Sequence, residues 1–171
     1  DLARRRAGAV LQHDDGQVGD FSQYMDLVVL VYARSDYDIK ETSIYTRING
    51  NSASVYTTSK FQGDGSGANS GGFTWTGAQF TGVPGLTATA NAFCAAIVQY
   101  LDINSGKYKK ALSTNAGDRG SAGEVNMIAW IYLSQAPISS VTFKIRRGAS
   151  ALNWMDGSRL DLFGILPRMV S

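Results

Sequence analysis

The sequence predicts an all-β fold, an antiparallel β-sandwich or barrel with an N-terminal arm. Two observations carry that expectation. Gly is abundant at 19 residues and Pro scarce at 3, while Tyr, Phe, Val, Ile and Thr recur in short runs. Gly-containing turns separate about eight such runs, at the spacing of a sandwich or barrel. The 171 residues suit one domain. It divides into a basic arm over 1–19 and an all-β domain over 20–171. Hydrophobic residues make up 44% of the chain, enough for a core.

Taken in order, Asp1 to Leu11 reads as either a short helix or an extended arm. Leu27 to Tyr32 is continuous and apolar, as in a strand buried on both faces. Ser43 to Ile48 alternates, as in a strand with one wet face. Asn49-Gly50 follows it and signals a hairpin, since both residues tolerate positive φ; the returning strand is Ser54 to Phe61. Gln62 to Gly72 reads as a flexible surface loop, without a side chain large enough to hold a core. Phe73 to Thr76 resumes a strand, and Val83-Pro84-Gly85 is a turn. Cys94 to Ile103 is a long inner strand, turned by Asn104-Ser105-Gly106 into Lys107 to Ser113. Thr114 to Gly123 is a second polar loop. Val125 to Leu133, Ser140 to Arg146 and Arg159 to Ile165 complete the set. Met127 to Leu133 and Leu27 to Tyr32 are expected in the middle of the sheets. Trp130→Ala is expected to be the most damaging single change.

Composition narrows function. Lys and Arg total 16 against 14 Asp and Glu, a net charge of +2, which argues against a general nucleic-acid binder. One Cys and one His exclude an internal disulfide and a zinc site of Cys and His ligands. The longest apolar runs fall far short of the ~18 residues of a membrane span. The chain begins at Asp1 rather than Met, so an upstream segment is expected, either cut off or lying outside this sequence.

Candidate chemistry is sparse. Any triad must use His13, which sits in a polar turn outside the strand pattern and reads as a surface or arm residue. Cys94 adjoins an apolar run and reads as a buried, inert thiol. The acids are scattered; Asp14, Asp15, Asp20, Asp36 and Asp38 fit turns, and Glu41 and Glu124 open strands. Asp102 to Gly106 and Asp64 to Asn69 resemble fragments of calcium loops but lack the distal Glu, so both read as turns and no metal is expected. Arg4, Arg5 and Arg6 form the one basic run, either a solvated terminus or an anchoring arm that docks on an acidic groove of a larger assembly. Arg146-Arg147, Lys107, Lys109 and Lys110 read as wet faces of strands or turns. Tyr37, Tyr45, Tyr56, Trp75, Phe80 and Trp154 read mostly as core or subunit contacts. The alternative is a sugar platform flanked by loops 62–72 and 114–123. Its candidate ligand or partner residues are Asp64, Asn69, Trp75, Asn115, Asp118 and Arg119.

In order along the chain, several segments resemble the jelly-roll domains of tailed-bacteriophage virion proteins, as found in head decorations, head fibres and tail-fibre tips. Tyr24 to Val29 resembles the opening strand, and Arg34-Ser35-Asp36 the charged turn after it. Arg47 to Asn51 with Val55-Tyr56 resembles the hairpin, and Tyr100 with Lys109-Lys110 a following pair. Trp130 with Pro137 to Thr142 resembles the next segment. Gly157 to Ile165 resembles the closing strand, with Phe163 where Tyr is usual. The likeness spans about residues 20 to 166, implies an antiparallel jelly-roll β-sandwich for the domain over 20–171, and transfers no catalytic motif.

The resemblance implies a non-enzymatic virion structural protein without a cofactor. The first expectation is a capsid decoration or cement subunit on the outer shell. The alternative is the receptor-binding tip of a tail or head fibre; a glycan-binding or glycan-degrading protein is more remote. Implied partners are further copies of the chain, with a homotrimer preferred, the major capsid protein or fibre and tail proteins, and a host surface glycan.

Overall fold

The computed structural model describes residues 16–18, 20–118, 122–147 and 150–167. In chain order the strands are β1 (Gly16–Val18), β2 (Asp26–Ala33), β3 (Glu41–Ile48), β4 (Tyr56–Gly63), β5 (Ala68–Trp75), β6 (Ala78–Pro84), β7 (Cys94–Leu101), β8 (Lys109–Asp118), β9 (Gly123–Tyr132), β10 (Ser140–Arg147), β11 (Ser150–Leu152) and β12 (Arg159–Ile165). They form two antiparallel sheets. The smaller runs β1-β10-β3-β6, with β11 paired to β10; the larger runs β12-β2-β7-β8-β9-β4-β5. The all-β, two-sheet expectation therefore holds.

Alternation builds the core. Thr42, Ile44, Thr46 and Ile48 point inward from β3, as do Ile128, Trp130 and Tyr132 from β9. Ile44, Ile48, Val141, Phe143 and Ile145 of the smaller sheet pack against Leu27, Val29, Val31, Val98, Tyr100 and Trp130 of the larger. Each fully buried aliphatic or aromatic side chain contributes about 1.5–3 kcal/mol. Two phenols link the sheets. The Tyr100 hydroxyl bonds Thr46 Oγ1 at 2.9 Å. The Tyr56 hydroxyl accepts the Ile48 N–H at 3.0 Å and donates to the Asn51 carbonyl at 2.9 Å. Trp130 meets both rings edge-on. Burial pushes the Tyr56 phenol up to about 12 and raises that of Tyr100 as well.

Several local expectations are corrected. Asn49 and Gly50 do adopt positive φ, at 52° and 66°, but they do not close a hairpin. β3 pairs with β10 and β6, and the chain crosses to β4 in the other sheet. Asn49 is tied to the entry of β10 instead: its Oδ1 accepts the Ser139 and Ser140 N–H groups at 2.8 and 3.1 Å, and its Nδ2 donates to the Pro137 carbonyl at 2.8 Å.

The supposed loop over 62–72 is mostly strand. β5 pairs with β4 from Tyr56↔Trp75 to Gly63↔Ala68, leaving a turn between Gly63 and Ala68. Most of β5 is solvent-exposed at the sheet edge, so no apolar alternation marks it; backbone pairing holds it. Likewise β8 runs on to Asp118 and β9 begins at Gly123, so most of 114–123 is ladder. Strand β6 carries no strong sequence signal, and Pro84 is its last residue. The end of the expected arm is strand too, because Gly16–Val18 pairs with β10.

Two basic residues are buried rather than wet. Arg34, read as part of a charged turn, is 3% exposed. Its guanidinium donates to the carbonyls of Gly85, Leu86, Ala88, Thr89 and Ala92. Lys109 is 1% exposed and its Nζ donates to the carbonyls of Ser105, Lys107 and Gln135. Each long side chain replaces lost hydration with backbone acceptors, as a buried cation must. Lastly, Leu27 to Tyr32 is not buried on both faces: Leu30 and Tyr32 are exposed.

Candidate functional site

Two regions carry the candidate residues: the turn-bearing end of the larger sheet and that sheet's outer face. At the end, β4, β8 and β9 lie side by side, which brings the Gly63–Ala68 turn next to the end of β8 and the start of β9. An open, shallow depression there is walled by Gly63, Asp64, Ser66, Gly117, Gly123 and Glu124, among others. The topology thus gathers Asp64, Asn115 and Asp118 at one end of the molecule.

Their side chains are largely committed. Asp64 Oδ1 accepts the N–H groups of Ser66 and Gly67, each at 3.0 Å, and the Ser66 hydroxyl at 2.7 Å. That is an Asx turn, the mechanism that favours Asp at chain reversals. Asp118 Oδ2 accepts the Thr89 N–H at 3.1 Å. Asn69 is exposed on β5, opposite Gln62. Asn115 departs from its expected place in a polar loop. It is an inward-facing residue of β8, 5% exposed, and neither its Oδ1 nor its Nδ2 has a hydrogen-bond partner among the described residues. Arg119, His13, Arg4, Arg5 and Arg6 lie outside the described residues.

Trp75 stands apart, at the opposite end of the β4–β5 ladder from Asp64. Tyr45 meets it edge-on at 5.3 Å between ring centroids, Phe73 at 6.4 Å, and the Arg146 guanidinium lies 5.9 Å over its ring. Arg146 is thus partly covered by an aromatic face rather than fully wet. Of the other aromatics, Tyr56 and Trp154 are core, Tyr37 is exposed and Tyr45 half-buried. The Phe80 side chain lies outside the described ones.

One meeting was invisible from spacing. Glu41 of β3 and Glu124 of β9 converge over Gly82 of β6: a methyl group placed there would lie 3.3 Å from Glu124 Oε1 and collide with Glu41 Oε1. Asn126 Nδ2 donates to Glu124 Oε1. Glu124 and Asn126 are buried in the sandwich end, so this is a packed polar plug between the sheets. Cys94 is buried, as expected.

The outer face of the larger sheet is different in kind. Antiparallel register aligns Leu30, Ile97, Thr114, Met127 and Phe61 across five adjacent strands. The next row toward one end holds Tyr32, Ala95, Ala116 and Val125; the next toward the other holds Val28, Gln99, Leu112 and Ala129. Phe61, Ile97, Leu112, Val125 and Met127 are each more than half exposed. Charge on these three rows is confined to outermost β12, where Arg159 and Asp161 pair with each other at 2.9 Å. Lys110 lies one row further on β8, opposite Ile131.

Sequence reasoning missed this surface although its signal was present: unbroken apolar runs in β2 and β9 mean that both faces of those strands shun water. The sandwich covers only one. Comparison with protein-family models, with curated proteins and with solved structures finds no match.

Proposed function

We propose that this chain is a non-enzymatic structural subunit of a bacteriophage virion, a decoration or cement protein seated on the outer shell. The observation that carries the reading is the outer face of the larger sheet, a broad, nearly uncharged apolar surface. Monomeric soluble proteins rarely expose such a patch, and its ordinary use is contact with protein. A rigid body supports it. Arg34 clamps the 85–92 segment, Asn49 the entry of β10, and Asn104 Nδ2 the carbonyls of Phe21 and Tyr24. Tied ends and a stiff sheet suit a part that must hold position in a lattice. The ordered likeness of residues 20 to 166 to virion jelly rolls supports a virion address. The jelly-roll connectivity belongs to the same proposal.

The test compares capsids assembled with and without the protein. Loss of the subunit should lower the temperature at which shells open, and re-addition should restore it. Shells that neither bind the protein nor change their opening temperature overturn the reading. A fibre-tip role draws on Trp75, whose half-exposed ring is braced by Tyr45 and Phe73 and offers a stacking face for a sugar. Free protein that blocks infection by occupying host cells would favour that role.

A further inference from the structure

We infer that the occupant of the apolar outer face is a second copy of this chain. The inference rests on reading that face as a protein-contact surface, and not on its place in a virion. Three observations select a second copy over an unrelated partner.

The first is area. Leu30, Tyr32, Phe61, Ile97, Leu112, Val125 and Met127 are between 36% and 64% exposed; at roughly 200 Å² for each large side chain the face shows on the order of 700 Å², beyond the ~300–600 Å² of the largest patch on a typical monomer. That is about the share one partner contributes to a standard stable interface. The second is composition. Leu30, Phe61, Ile97, Leu112 and Met127 make a face more apolar than transient partners use, and permanent contacts between identical subunits are the apolar class. The third is charge. Arg159 and Asp161 neutralise one another within the chain, so two copies meet without like-charge repulsion across the three central rows. A partner of opposite charge would find nothing there to recognise. The face is also a sheet surface, and sheets pack on sheets at about 10 Å with side chains interleaved.

The test is sedimentation velocity on the purified full chain over a hundredfold range of concentration. The wild type should run at twice 18.4 kDa. Leu112→Glu combined with Ile97→Lys should shift it to the single-chain mass with its β-sheet circular dichroism retained, because both side chains are exposed in the isolated protomer. Ser52→Glu, exposed but remote in register from the face, should leave the assembly intact. A wild type at single-chain mass throughout overturns the inference, as does an assembly that survives the double substitution.

Should the double variant lose its sheet signal, peroxide oxidation of the wild type decides. Within one protomer Met127 is more exposed than Met25, at 60% against 38%. Slower oxidation at Met127 than at Met25 supports the covered face; faster oxidation overturns it. An assembly dissolved by these substitutions stands whether or not capsids carry the protein, so failure here and failure of the virion reading are separable.

Discussion

Replacing Arg34 by Met keeps much of the apolar stem and removes every donor. The side chain leaves the end of β2 and spreads its guanidinium against the 85–92 segment. Nη1 donates to the Thr89 and Ala92 carbonyls at 2.6 and 2.9 Å, and Nη2 to Gly85 at 2.9 Å, with longer bonds to Ala88 and Leu86 at 3.3 and 3.4 Å. Three short charge-assisted bonds therefore dominate. A net hydrogen bond to a charged group contributes about 1.5–3 kcal/mol, and removing one partner strands the others. Water reaches part of the segment, since three of the five bonds are only partly buried, so the sum is discounted to about 3–5 kcal/mol. That is a large share of the ~5–15 kcal/mol that holds a typical domain together. The assay is urea unfolding followed by tryptophan fluorescence. Arg34→Lys should recover less than half of the loss, because an ammonium has three donors and cannot span the same acceptors. A loss under ~1 kcal/mol for the Met variant, the size of an ordinary surface change, would refute the clamp.

Trp130→Ala should cost about 3–5 kcal/mol, since the ring is 1% exposed between Tyr56 and Tyr100; an unchanged denaturation midpoint would remove it from the core. Gly164→Ala places a methyl group inside the Tyr24 ring, whereas Gly71→Ala meets nothing within 4 Å. The first should lower the midpoint by more than ~1 kcal/mol and the second by less, and equal effects would contradict the packing of β12 on Tyr24. Stability should fall as pH rises from about 10 toward 12. The sign follows from Tyr56 and Tyr100, whose buried phenols hold their protons above the ordinary value of 10.0, so the folded state loses its advantage as the unfolded chain ionises first. Burial moves Lys109 the opposite way, with Asp102 opposing it. Tyr100→Phe should therefore flatten the alkaline limb, and an identical limb in that variant would contradict a buried phenol.

Strands with an apolar inner face were readable: Ile44 and Ile48 in β3, and Ile128 and Trp130 in β9, alternate as a half-buried ladder requires. β5 was not. An edge strand of Ala, Asn, Ser and Gly owes its place to hydrogen bonds with β4, and those leave no trace in side-chain type. The positive φ of Asn49 and Gly50 was legible, because few residues tolerate it. Their destination was not, since Asn49 bonds residues some ninety positions away.

Site residues divide in the same way. Asp64 was legible as a turn former. Asn115 resembled a loop ligand because a polar residue on an inner strand face looks the same in sequence as one in a loop. The convergence of Glu41 with Glu124 depends on two sheets packing, which spacing cannot reveal. The run Leu27 to Tyr32 reads as apolar on both faces, but the sandwich covers one and leaves Leu30 and Tyr32 exposed.

The most direct test of the whole account is cryo-electron microscopy of the intact particle. The account predicts copies at fixed lattice positions, with Ile97, Leu112 and Met127 of each buried under a neighbouring copy. Particles without this subunit, or with those three side chains facing solvent, contradict it.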